Sequence, residues 1–440
     1  MATAFVFVRD NGGGTCESRE SKKLIRRHVM KGKNAGKKIH RPSRLTQLAT
    51  RRASDTPASM FCDLGFPVET TPERREIIYS FFTSVADRLY PCHLGITMDD
   101  AKRLYFEILF QDQDTSNEFF LREGKSSPKA LRYLSQTLTL VRKRVEGPDA
   151  LSDSTLMIVL SLVSQEQMRG EYVGAKVHAE GLRKMVQLRG GLDGLEGNEG
   201  ILLKVCKIDI VAALQHGGPT MFYLDRMSKV RDVATAKGLK FDRPSSLSFG
   251  DRHGSVDPHL EDVFLDVLAA SRMLNGSLPG RTLDILTFLH LQISIFYRLL
   301  RYCPLAAENQ RSDVDSTCHI GLIVFMMTVL LQHEGRSILD YRLVKRHLRG
   351  VLSSQLGDTR DTGMGLWAMC MGGIWMAGTV DLDWLFSRIW LSGERLSIQT
   401  WDDARRLLVN FPWINIVHDQ PGRQLWEDAH RRAAESWMHT

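Results

Sequence analysis

Residues 171 to 192 read EYVGAKVHAEGLRKMVQLRGGL. Ala175, His178, Leu182, Met185 and Val186 fall at i, i+3, i+7, i+10 and i+11, one face of an α-helix that should be buried. Gly181 inside such a helix costs about 1 kcal/mol relative to Ala, which makes sense where a second helix crosses closely. Gly190 and Gly191 supply the left-handed residue that ends the helix. His178 reads as a core histidine with a locally satisfied ring N–H; a ligand or base is the alternative, but no second catalytic group stands near it in sequence.

The same periodicity recurs in both directions. Thr71 caps a helix that begins at Pro72 and carries Ile77, Ile78, Phe81, Phe82, Val85 and Leu89 to a stop at Pro91. Further helical segments are predicted at 98–110, 128–145, 154–168, 200–214, 259–274, 281–301, 319–332 and 403–409. Phe5 to Val8 is the only plausible strand. These patterns define an all-α fold: a large, irregular multi-helix domain over 71–440, preceded by a basic, largely disordered arm and linker over 1–70. The polar stretch Ser228 to Pro258 reads as a mobile insertion, with 71–227 and 259–440 as alternative halves. Thr362 to Val380 is uncharged for nineteen residues, but its five glycines and acidic flanks make it a buried core helix rather than a membrane span.

Charge is distributed unevenly. Residues 19–52 hold thirteen basic residues and one acid, a local +12 against +7 for the whole chain, so the remainder carries −5. The basic side chains concentrate at Lys22, Lys23, Arg26, Arg27, Lys31, Lys33, Lys37, Lys38, Arg41 and Arg44. They suit the acidic grooves of an import receptor as well as they suit phosphates, and a solvated charged tail is the plainer alternative.

Recognisable catalytic and metal motifs are missing. The seven cysteines include no Cys-x₂₋₄-Cys knuckle, so no structural zinc and no cofactor are expected, and their odd number suits reduced thiols in an intracellular chain. Gly32 to Lys38 lacks the spacing and the hydroxyl of a phosphate loop, and Gly191-x-x-Gly194-x-x-Gly197 follows a helix instead of a strand. The chain is therefore read as a non-enzyme, with dispersed catalytic groups as a third reading.

The pattern Ala175-x-x-His178-x-x-Gly181-Leu182-x-x-Met185-Val186-x-x-Arg189-Gly190-Gly191-Leu192, followed by Asp209 and then Pro219-x-Met221-Phe222, resembles the fungal-specific transcription factor domain. The opening FVFV with SKKLIRRHVMKGKNAGKK, and the closing FPWINIVHDQPGRQLW that contains Trp413, are similar to the terminal segments of a subgroup of that family. The resemblance implies a helical regulatory domain without catalytic residues, in which His178, Gly181, Leu182, Arg189, Gly190, Gly191, Asp209 and Trp413 are structural. Many members carry six cysteines as a binuclear zinc cluster ahead of this domain, and this chain has none. The expected role is thus a nuclear, transcription-regulator-like protein whose body binds protein partners or a small effector and whose arm serves nuclear import or unaimed DNA contact. A helical interaction scaffold with no role in transcription is the alternative.

Overall fold

The computed structural model describes Leu94 and residues 128–246, 256–276, 282–306, 312–330, 332–333, 336–337, 339–354, 363–378 and 382–438. The strand expected at Phe5 to Val8, the helices expected at 72–89 and 98–110, and every basic residue of the arm lie outside them.

The fold is all-α. Thirteen α-helices occupy the described residues: α1 Pro128–Val145, α2 Asp153–Arg169, α3 Tyr172–Leu188, α4 Glu199–His216, α5 Met227–Ala236, α6 Pro258–Asn275, α7 Ile285–Tyr302, α8 Asp313–Thr328, α9 Arg342–Ser354, α10 Gly363–Trp375, α11 Asp383–Arg395, α12 Trp401–Leu408 and α13 Asn415–Met438. Gln332–His333 pairs antiparallel with Arg336–Ser337 over two residues, too short to form a layer. Local chemistry sets many of the helix starts. Ser152, Asn198, Asp257, Asp284, Ser312 and Thr400 each accept a backbone N–H of the first turn through the side chain. None of the described helices is long and apolar enough to cross a membrane.

The uncharged stretch becomes α10, in which every residue from Met364 to Trp375 is buried. It packs against α8, α9, α11, α12 and α13. Its closest contact is with α8, where the Trp367 indole lies over Gly321; a Cβ on Gly321 would stand 2.5 Å from the ring. Trp367 cannot easily yield, because its Nε1–H donates to the Pro412 carbonyl at 2.9 Å and its ring stacks on Phe411 at 5.7 Å. On other sides of α10, Gly372 faces Leu348 of α9 and Gly373 faces Leu425 of α13. Burying side chains of this size contributes about 1.5–3 kcal/mol each.

α3 packs on α2 through Ala175, Ala179, Leu182, Met185 and Val186. Ala179 takes the place expected for His178, which sits half-buried at the border of the stripe. The helix ends as expected: Gly190 and Gly191 adopt φ of 98° and 82°, the Gly191 N–H donates to Val186 O at 2.9 Å, and the Gly190 N–H donates to Gln187 O at 3.0 Å. The close crossing expected at Gly181 is not found. That residue is exposed on the outer face, and a Cβ there would meet nothing within 4 Å among the described residues.

The first part of the expected insertion is also ordered differently from its polar composition. It forms α5, which buries Met227, Val230 and Ala234, and a following segment whose Leu239 joins Ala234, Met273 and Leu283 in a small apolar cluster. Four of the bases that suggested a solvated loop, Lys229, Arg231, Lys237 and Arg243, form ion pairs. Arg231 at 3.4 Å, Arg243 at 3.1 Å and Arg298 at 2.6 Å converge on the fully buried carboxylate of Asp266, so α5 and its extension are fastened to α6 and α7.

Two glycine substitutions should therefore act in opposite directions. Gly321→Ala forces a methyl into the Trp367 ring and should cost about 1–3 kcal/mol, whereas Gly181→Ala should stabilise the dilute protein by up to about 1 kcal/mol through helix propensity alone. Urea unfolding followed by circular dichroism measures both.

Candidate functional site

α4 is the helix around which polar chemistry collects. Cys206 and Asp209 contact Tyr297 of α7, and Glu199 reaches His290 of the same helix. Asp209 is 1% exposed and its carboxylate is saturated: Met221 N–H donates to Oδ1 at 2.8 Å, Phe222 N–H to Oδ2 at 2.9 Å and Tyr297 O–H to Oδ2 at 3.0 Å. This is the physical content of the sequence pairing between Asp209 and Met221-Phe222: a side chain two turns before the end of α4 fixes the path of the chain leaving it. Burial raises the Asp209 pKa to about 6, against the lowering effect of the three donors. Burial likewise pushes the Cys206 thiol up to about 12, so no nucleophilic thiolate forms there.

At the amino-terminal end of α4, Glu199 Oε2 lies 2.8 Å from His290 Nε2, and that hydrogen bond holds the Glu199 carboxyl down at about 2. His290 is itself buried, and its Nδ1 has no hydrogen-bond partner among the described residues. Just before this helix, Asp153 accepts from both Arg189 and Asn198, joining the start of α2 to the end of α3 and to the cap of α4.

Between α4 and α7 lies a small cavity of about 10 Å³, lined by Leu203, Lys207, Ile210, Gln292, Phe296 and Leu330 among others. That is room for roughly one water molecule. Gln292 Nε2 donates to Val329 O at 2.6 Å, while its buried Oε1 has no partner among the described residues. Lys207 is half-buried along its length, yet packed closely enough around its ammonium that burial lowers its pKa to about 7. An apolar wall with one amide oxygen and one easily neutralised amine is a place to hold a small polar group, and it lacks the paired acid and base that hydrolytic or proton-transfer chemistry requires.

The carboxy-terminal segment supplies a second buried joint. Ile414 N–H donates to His418 Nδ1 at 2.9 Å, which fixes the proton of the neutral ring on Nε2. Nε2–H then donates to Thr328 Oγ1 at 2.8 Å, and Thr328 O–H donates to Phe325 O at 2.6 Å. Burial carries the His418 pKa down to about 3. Beside it, the buried Trp413 donates Nε1–H to Asp419 Oδ1 at 2.8 Å and accepts at its carbonyl from Asn275 Nδ2 at 2.7 Å.

The anticipated residues are thus dispersed. Leu182 lies in the α2–α3 contact, Arg189 in the Asp153 joint, Asp209 beneath α7 and Trp413 under α13, while His178 and Gly181 lie on α3 away from the cavity wall. Lys22, Lys23, Arg26, Arg27, Lys31, Lys33, Lys37, Lys38, Arg41 and Arg44 lie outside the described residues. Sequence reasoning missed Lys207, His290 and Gln292, which sit in apolar helical runs with no distinguishing spacing, and His418, which lies in the quoted closing segment just ahead of Pro421. No group of three or more His, Cys, Asp and Glu side chains converges as a metal site among the described residues. Comparison of the chain with protein-family models, with characterised proteins and with solved structures finds no match.

His418 and Asp209 make opposite contributions to acid stability. His418 has a folded pKa below its ordinary 6.5, so its stabilisation is complete above that value and is lost as pH falls toward about 3. Asp209 has a folded pKa raised from 3.8 to about 6, so its contribution is complete below 3.8 and is lost as pH rises through 6. Each limb has a maximum slope of about 1.4 kcal/mol per pH unit. Urea midpoints measured from pH 6.5 to 4.5 should fall less in His418→Gln than in the parent and more steeply in Asp209→Asn.

Proposed function

We propose that this chain is a nuclear, transcription-regulator-like protein: a non-enzymatic helical body that receives a protein partner or small effector, carried by a basic arm for nuclear import or non-specific contact with DNA. The observation that carries the reading is the Asp209 joint. The resemblance to the fungal-specific transcription factor domain pairs Asp209 with Pro219-x-Met221-Phe222 across ten residues of sequence, and the folded chain gives that pairing a cause in two backbone hydrogen bonds. The helix stop at Gly190-Gly191 and the buried Trp413 supply similar support. Saturated hydrogen bonds around Asp209 and a thiol kept protonated at Cys206 favour a body that binds over one that catalyses.

Two measurements test this. Fused to a cytoplasmic reporter too large to diffuse through nuclear pores, residues 19–52 should concentrate it in the nucleus, and alanine at Lys22, Lys23, Arg26, Arg27, Lys37 and Lys38 should abolish the effect; a cytoplasmic fusion would defeat the import claim. Deletion of the gene should change a defined set of transcripts, with chromatin occupancy at those loci lost when the arm is removed. Wild-type expression after deletion would favour the scaffold reading instead.

A further inference from the structure

The outer face of α3 is unlike the rest of the described surface. Val173, Val177 and Leu188 are 82%, 65% and 73% exposed, and Gly181, Glu180 and Lys184 are exposed between them. On a helix of 3.6 residues per turn, positions 173, 177, 180, 184 and 188, in steps of four, three, four and four, fall along one stripe suited to a seam between two helices. Gly181 lies beside that stripe with nothing within 4 Å of a Cβ placed on it among the described residues, a helix-weakening residue that packing among those residues does not explain.

The stripe is also complementary to itself. When it is turned end for end about a point between residues 180 and 181, position 173 meets 188, position 177 meets 184, and position 180 meets 181. Val173 then faces Leu188 of the other copy, and Val177 lies beneath the aliphatic stem of the other copy's Lys184. That ammonium is brought within a turn of Glu180, and Glu180 stands over the missing side chain of Gly181. We propose that α3 pairs antiparallel with α3 of a second copy of this chain, about a two-fold axis between Glu180 and Gly181. Hydrophobic contact comes from the two ends of the seam, register from the central charges, and close approach from Gly181. Glu180 already accepts a charged hydrogen bond from Arg183 on its own helix, which holds its carboxylate ionised and in place on this face.

The register makes the test specific. In the full chain with Cys16, Cys62 and Cys92 replaced by Ser, so that the described cysteines left behind are the buried Cys206, Cys303, Cys318 and Cys370, Gly181→Cys should cross-link to itself with a short bis-maleimide. Val173→Cys alone should not, because its twin lies about 22 Å away along the helix. An equimolar mixture of Val173→Cys and Leu188→Cys should cross-link. Sedimentation should show a concentration-dependent dimer, weakened at least about tenfold by Glu180→Lys and recovered in Glu180→Lys/Lys184→Glu. All of these positions are exposed, and unchanged circular dichroism would confirm folding. Efficient self-linking of Val173→Cys would overturn the antiparallel register. A chain that remains monomeric up to about 100 μM would overturn the dimer and leave the face to a different partner.

Discussion

The crossing of α8 over α10 is the contact on which the remaining packing depends. Gly321 removes the side chain that would hold the two helices apart, and Trp367 fills the space, with its N–H fixed by Pro412, its ring stacked on Phe411 and Phe264 packed against it in a T-shaped contact. Once that indole is seated, the two glycines further along α10 set how near α9 and α13 can come. A helix surrounded on all sides needs small residues somewhere, because five neighbours cannot each approach a full-sized side chain at the usual distance. The glycines of α10 answer that constraint, and its lack of charge follows from the same burial.

Around this apolar centre, a few buried polar groups decide which way the chain turns. Asp209, His418 and Asp266 each have nearly no access to solvent, and each satisfies groups distant in sequence: a departing loop, a neighbouring helix end, three arginines. Burying such groups is costly unless their partners are in place, so partial assembly is penalised more heavily than in a purely apolar core. That property favours one arrangement among the many by which amphipathic helices can pack.

Legibility from sequence followed the physics of each element. α1 and α10 could be read because one begins at a proline and keeps a helical period, while the other is uncharged throughout. α5 was mistaken for a loop because its Lys229 and Arg231, which look solvated in sequence, find carboxylates on Glu199 and Asp266, thirty or more residues away. α9 escaped notice because its apolar residues are diluted by a run of bases, and α13 because Pro421 and Gly422 sit inside it and resemble breakers. At the candidate site, Asp209 was visible through a motif, but Lys207 and Gln292 were not. A cavity belongs to the facing of two helices, and neither helix alone encodes it.

The order in which these elements leave the ribosome has a consequence for the cell. α10 is complete at Trp375, but Leu425 of α13, which covers Gly373, and His418, which bonds to Thr328, lie dozens of residues downstream. At about 5–20 residues per second, the most apolar helix of the protein waits several seconds for its cover. During that interval the nascent chain presents a sticky, uncharged surface of tryptophan and methionine, the kind of segment that general chaperones bind, and a stop codon ahead of Leu425 would remove that cover for good.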